Sequence, residues 1–469
     1  MAKILMVQIQ PYPYAGVAYL CAAARTHGHS FVLALGSDVA RILREIESEK
    51  PDCIGFTCMT GIHAEALSIA RAIKRQHSIP IVIGGPHPTL FPEMIHEDAV
   101  DVLCRGEGEF ALVDLLNALE RHEPLDSIPN LCVKRGDGSV VVNEPRPLEE
   151  LLDAVPLIDW TCYAGTVAQK SAPVAFLIRG CPYSCTYCFN AAIRGIYRGR
   201  GRYIRHFSVD RAIMEVKQAL DFFEPSTVLF SSDTFGVDLA WTEELFRRYS
   251  ELTDLPFILL LRPELATQEF IDIIRKHRCH AVALGVESGS ERVRFEVMNR
   301  KYSNSLLLGV AERLHAAGIK FRTYSILGLP TETEEEMWET VQINVAMKAD
   351  YPRASIFTPY PGTAIVELAQ RLGCLDESFG FDSVPPSILS HSLLKNVDQG
   401  RLINMLHLFQ TMVKFPSAIP LLRRMVSLPP NPLFKLWFFI IYVHVHRTSE
   451  NRRLLPYIPF ILANARTKA

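Results

Sequence analysis

No stretch of this 469-residue chain stays apolar for the roughly 20 residues that a bilayer crossing needs. The tail run Phe434–Val443 is about half that length and carries Lys435 within it. The amino terminus lacks the long apolar core and small-residue cleavage site of a signal peptide. Ile4–Ile9 therefore reads as a first strand, and the cytoplasm as the expected location. Charge of neither sign is in excess, with 49 Lys+Arg against 51 Asp+Glu, and no basic block interleaved with aromatics occurs. That balance excludes a nucleic acid or a strongly acidic polymer as the main partner. Cysteines number only 11, without the pairing of a disulfide framework, which suits a reducing compartment. A second C-x₂-C or an H-x₃-H, the usual completion of a zinc site, is missing too.

Against these absences stands Arg179-Gly180-Cys181-Pro182-Tyr183-Ser184-Cys185-Thr186-Tyr187-Cys188-Phe189-Asn190. Three of the few thiols sit at C-x₃-C-x₂-C spacing, close enough to grip one inorganic cluster from a single loop. A four-iron cubane normally takes four cysteine thiolates, so three leave one iron open for chemistry. The loop follows the apolar run Val174–Ile178, which reads as a buried strand. The cluster would thus sit at a strand's carboxyl end, where α/β folds keep their active sites.

The rest of the chain alternates apolar runs with helical patterns, which predicts parallel sheets covered on both faces. In residues 1–123 the runs are Ile4–Ile9, Phe31–Leu35, Cys53–Thr57, Ile79–Ile83 and Val100–Leu103, as in a doubly wound, flavodoxin-like domain. Small and polar residues follow its strands: Thr57 to Thr60, Gly84-Gly85-Pro86-His87, and Gly106-Glu107-Gly108-Glu109. Glycines there would let a bulky ligand approach the backbone. Residues 124–170 form a proline-rich linker, with a hairpin signalled by Asp137-Gly138 and a helix expected near Leu148–Leu152. In 171–374 six strand–helix units fit a partial (β/α)₆ TIM barrel, with no seventh or eighth unit. Polar residues again close its strands, among them Ser231–Phe235, Arg262 and Gly285–Gly289. Arg322 lies on the fifth strand itself.

The pattern C-x₃-C-x-aromatic-C, with Tyr187 as the aromatic, resembles the radical S-adenosylmethionine (radical SAM) enzymes. Residues 1–123 are similar to the cobalamin-binding domain that precedes the barrel in one large subfamily. The matching residues are Gly16, Tyr19-Leu20, Gly28-His29, Pro51-Asp52, Gly55, Gly84-Gly85 with His87, and the Gly106–Glu109 segment. The Asp-x-His of cobalamin domains that supply a histidine to cobalt is absent, and His63 and His87 read as loop or surface residues. The resemblance implies Cys181, Cys185 and Cys188 as ligands of a 4Fe-4S cluster whose open iron holds SAM. It implies Tyr187, Asp233, Glu287, Ser288 and Arg322 around SAM, and Thr57, Thr60, Gly84, Gly85, Gly106 and Glu107 around cobalamin. Reductive cleavage of SAM would give a 5′-deoxyadenosyl radical, and a methyl group would go to an unactivated carbon of a small-molecule substrate. A radical SAM oxidoreductase or cyclase would use the same domains, and a non-catalytic cobalamin or cluster sensor is the alternative of another class. A flavodoxin or ferredoxin is the implied electron donor.

The tail, 375–469, reads as helical. Phe434–Val443 is expected either as a lid over the barrel mouth or as an anchor lying on the cytoplasmic membrane, flanked by Arg423, Arg424, Lys435, Arg447, Arg452 and Arg453. An anchor would point to a lipophilic substrate such as a lipid, an isoprenoid or a tetrapyrrole.

Overall fold

The computed structural model describes residues 1–170, 174–384, 389, 391–395 and 397–449; Arg452, Arg453 and the rest of the tail lie outside them. Two compact units emerge, one containing the amino-terminal portion with Ala192–Glu224, the other Val174–Ala191 and the described residues from Pro225 onward.

The first unit is built on β1 (Lys3–Gln8), β2 (Ser30–Leu35), β3 (Cys53–Thr57), β4 (Ile81–Gly84) and β5 (Val102–Cys104). These strands are parallel, in the order β2-β1-β3-β4-β5. Buried on both faces, they read as continuous apolar runs, with Leu5, Val7, Ile54, Ile81 and Ile83 essentially inaccessible. The linker hairpin, β6 (Leu131–Lys134) and β7 (Val140–Val142), extends this sheet antiparallel from β5. Gly138, at φ +85°, closes its turn, donating to the Arg135 carbonyl.

The helix expected near Leu148–Leu152 does not form. Pro145 and Pro147 hold the chain extended, and only a 3₁₀ turn at Leu152–Ala154 follows. The linker is more than a tether: Trp160 and Tyr163 are buried. The Tyr163 hydroxyl donates to Gln8 Oε1 at 2.5 Å and accepts the Tyr14 N–H at 2.9 Å.

The second unit holds six parallel strands: β8 (Val174–Ala175), β9 (Val228–Phe230), β10 (Phe257–Leu261), β11 (Cys279–Glu287), β12 (Lys320–Leu327) and β13 (Tyr351–Ile356). Each pairs with its sequence neighbours, from β8 at one edge to β13 at the other, as in the partial (β/α)₆ barrel. The helices between them start at side-chain caps: Asp238 accepts from Trp241 N, Thr267 from Phe270 N and Ser303 from Leu306 N. Thr333 and Glu336 close a capping box on the helix Glu334–Ala346. Phe230, Phe246 and Phe257 pack as an aromatic nucleus, the last two stacked at 4.3 Å.

Three tail helices follow, Gln399–Lys414, Ile419–Val426 and Pro432–Ser449. The first runs along edge strand β13, where Gln410 Nε2 donates to the Pro352 carbonyl at 3.0 Å and Lys414 Nζ to the Ala349 carbonyl at 3.2 Å.

Candidate active site at the carboxyl ends of the barrel strands

Cys181, Cys185 and Cys188 line one cavity of about 300 Å³. Tyr183, Tyr187 and Asn190 of the same loop join them, and Asp233, Arg262, Gly285, Glu287, Arg300 and Tyr324 complete the wall from successive strands and their extensions. Among the described residues no three His, Cys, Asp or Glu side chains are gathered closely enough to hold a single metal ion, although the three thiols share this cavity. Burial raises the Cys181 thiol and pushes the Cys188 thiol up to about 11, so both stay protonated near neutrality until a metal takes the proton's place.

The loop is fixed from the next strand end. Asp233 accepts the Gly180 N–H at 2.6 Å and the Asn190 amide at 3.0 Å, and Ser232 Oγ accepts the N–H groups of Leu177 and Ile178. Arg262 Nη1 donates to the Cys185 sulfur at 3.0 Å while Nη2 pairs with Glu264 at 2.6 Å. Its guanidinium lies 3.6 Å from the centre of the Tyr183 ring. The donor set is therefore three sulfurs plus a cation that would stabilise thiolate charge, which fits an iron–sulfur cluster.

Strand β11 ends irregularly. Its register on β12 shifts between Gly285 and Glu287, and Glu287 adopts φ +63°, strained for a residue with a Cβ. Arg300 supports the strained residue: Nη1 donates to Glu287 Oε1 at 2.9 Å and to the Tyr187 hydroxyl at 2.8 Å, and Nη2 to the Gly285 carbonyl at 3.0 Å. A side chain at Gly285 would come within 2.4 Å of Glu287 Oε1.

Ser288 and Arg322, expected around SAM, are not among the residues that line this cavity. Ser288 is fully buried and bonds Glu332 and Thr340 behind the wall, latching the segment to the helix Glu334–Ala346. Arg322 lies two residues below Tyr324 on β12 and donates to the Tyr324 hydroxyl and to Ser449 of the last tail helix. It is Tyr324 that reaches the cavity. Arg300, which reading the sequence missed, sits in the connection after β11, where neither strand pattern nor motif marks it. No described tail residue lines this cavity.

In the first unit, Thr57 and Gly84 are register partners at the carboxyl edge of β3 and β4. Thr57, Thr60, Gly84, Gly85, Gly106 and Glu107 form a partly exposed rim of small and polar residues at the strand ends. That rim fits the backbone approach of a large planar cofactor. Some of its glycines serve the protein itself. A Cβ on Gly85, at φ +108°, would come within 2.7 Å of the Cys58 carbonyl, and one on Gly106 would strike the Tyr197 hydroxyl. That hydroxyl accepts the Glu107 N–H at 2.8 Å, and the Glu107 carboxylate pairs with Arg205.

His63 and His87 are interior rather than surface residues, their rings stacked at 4.4 Å. The Thr60 hydroxyl lies 3.0 Å from His87 Nδ1, and burial with the neighbouring ring lowers the His87 pKa to about 3, which keeps the imidazole neutral.

Comparison with known proteins matches two segments of the chain to known families. Residues 9–116 match the B12 binding domain, and residues 176–343 the radical SAM superfamily. An uncharacterized methyltransferase of Pyrococcus horikoshii is 28% identical over 371 residues, 76% of this chain and 78% of the relative. The anaerobic magnesium-protoporphyrin IX monomethyl ester cyclase of Rubrivivax gelatinosus is 23% identical over 398 residues, 79% of this chain and 68% of the cyclase. Among solved structures, the cobalamin-dependent S-adenosylmethionine radical enzyme OxsB, with aqua-cobalamin and S-adenosylmethionine bound, shares the fold at a TM-score of 0.71. It has 14% identity, with 96% of this chain and 72% of that one covered. A B12 binding domain followed by a thiol-lined radical SAM barrel makes this chain a member of the cobalamin-binding radical SAM enzymes, whose cofactors are a 4Fe-4S cluster, S-adenosylmethionine and cobalamin.

Proposed function

We propose that the enzyme methylates an unactivated carbon of a small-molecule substrate. The observation that carries this reading is the single cavity in which three thiols, Asp233, Glu287 and Arg262 face one another. Cys181, Cys185 and Cys188 hold the cluster, and Arg262 stabilises the thiolate of Cys185 through its 3.0 Å contact. Asp233 and Glu287 supply carboxylates for the ammonium and ribose groups of SAM, and Arg300 with Tyr187 keeps Glu287 in its strained pose. The rim of Thr57, Thr60, Gly84 and Gly85 carries cobalamin. When bound, these groups supply one-electron cleavage of the SAM sulfonium and a transferable methyl group. The protein contributes position. The naming of the Pyrococcus horikoshii relative as a methyltransferase supports methyl transfer, and a reduced flavodoxin or ferredoxin would deliver the electron.

A second reading is oxidative ring closure, favoured by the similarity to the magnesium-protoporphyrin cyclase. A lipophilic substrate, whether lipid, isoprenoid or tetrapyrrole, suits either reading, given the porphyrin named for that relative and the apolar tail.

Anaerobic reconstitution with iron, sulfide and cobalamin tests the proposal. The expected result is 5′-deoxyadenosine from SAM and a product heavier by one methyl group. Hydrogen loss or oxygen gain in the product would turn the assignment to the cyclase reading, and a protein that holds iron yet never consumes SAM would end both.

A further inference from the structure

The last tail helix, Pro432–Ser449, is apolar on two opposite sides. Phe434, Phe438, Tyr442, Val445 and Ser449 recur at helical spacing and form its better-buried side, with Phe438 against His407 at 5.3 Å and Ser449 bonded to Arg322. An ordinary surface helix would be polar opposite that stripe. Here Leu433 is 73% exposed, Leu436 57%, Trp437 43% and Ile440 52%, with Phe439 beside them at 47%. Phe415, Leu421 and Leu428, in and around the preceding short helix, are also exposed. Eight of the sixteen large apolar side chains exposed among the described residues thus fall between positions 415 and 440. Such concentration marks a contact surface rather than scattered exposure.

Charge says what the surface contacts. From Gln399 to the end the chain carries ten Lys and Arg against the single acidic Glu450, whereas the preceding 398 residues carry 39 against 50. Arg423, Arg424 and Lys435 are exposed within the apolar stretch itself. A second copy would bring like charge against like, and a neutral apolar partner would gain nothing from the basic residues. An anionic bilayer surface satisfies both components. Aliphatic side chains and the Trp437 ring enter the boundary of the acyl region, and the basic side chains meet lipid phosphates. No helix among the described residues is long and apolar enough to cross a membrane, so the contact is one of lying on the surface.

We infer that this helix docks the enzyme on an anionic lipid surface, through Leu433, Leu436, Trp437 and Ile440 with Arg423, Arg424 and Lys435 around them. The inference does not depend on which reaction the barrel performs.

Flotation of the full chain with vesicles tests it, using phosphatidylcholine alone and phosphatidylcholine mixed with phosphatidylglycerol. The chain is expected to float with the mixed vesicles, with affinity falling about tenfold or more on neutral vesicles or in high salt. The double variant Leu436→Asp with Ile440→Asp is expected to abolish flotation while leaving SAM cleavage and the melting temperature unchanged. Failure of the full chain to float, or undiminished flotation of the variant, overturns the inference. So does a dimer, seen by sedimentation without lipid, that the variant dissolves, because the face would then join two copies. A large drop in the variant's melting temperature overturns it too, because the face would then be covered by the chain's own residues.

Discussion

Replacing Glu332 by glutamine probes the electrostatics behind the strained end of β11. The carboxylate accepts the N–H groups of Gly328 at 2.7 Å and Leu329 at 3.0 Å, and the Ser288 hydroxyl at 3.3 Å. Burial outweighs these donors and pushes the Glu332 pKa up to about 8, from a reference of 4.5. An acid whose pKa rises on folding binds its proton more tightly in the native state. The stability it contributes is therefore complete below the unfolded value and is lost as pH rises through the folded one. A shift of this size corresponds to roughly 5 kcal/mol if the group is wholly withdrawn from water. The residue is only half-buried, which reduces the expected effect to about 2–3 kcal/mol. Glutamine keeps the shape, accepts the same two N–H groups, can donate to Ser288 and has no proton to lose. Unfolding midpoints of both proteins, followed from about pH 5 to about pH 9, are expected to diverge, the variant gaining about 2–3 kcal/mol on the parent. Parallel pH profiles would mean that the carboxyl is ionised throughout, and would refute the argument.

Cys185→Ala is expected to lose bound iron and sulfide after anaerobic reconstitution while its circular dichroism stays unchanged; full iron content would break the ligand assignment. Arg262→Gln removes the donor to the Cys185 sulfur and the cation over Tyr183, so the cluster should be retained but with a more negative reduction potential, read by a redox titration followed by electron paramagnetic resonance. Gly289→Ala would place its Cβ 2.2 Å from the Glu339 carbonyl, and an unfolding curve should show a loss of at least about 1–3 kcal/mol.

What could be read from sequence was what is local. Three thiols within eight residues need no tertiary information, and strands such as Ile81–Gly84 or Phe257–Leu261 declare themselves because a doubly covered sheet demands unbroken apolar runs. Glycines carried less. Their spacing shows that something comes close, yet not that it is the Cys58 backbone at Gly85 or the Tyr197 ring at Gly106. At Arg322, alternation gives the face of the strand but not the depth within it, and Tyr324 two residues on is the one that lines the cavity. Arg300 was invisible for the opposite reason: its partners Tyr187, Gly285 and Glu287 are brought to it by the fold alone.

An incomplete barrel has a free flank, and here Gln410 and Lys414 engage the backbone carbonyls beside it. Unpaired strand backbone is a template on which other chains can add. Synthesis proceeds from the amino terminus, so β13 is made well before the helix that shields it. Until Gln399–Lys414 has left the ribosome, the nascent enzyme carries an adhesive margin. A chain terminated just short of that helix should self-associate even though every described strand and the three cysteines of the loop are already present.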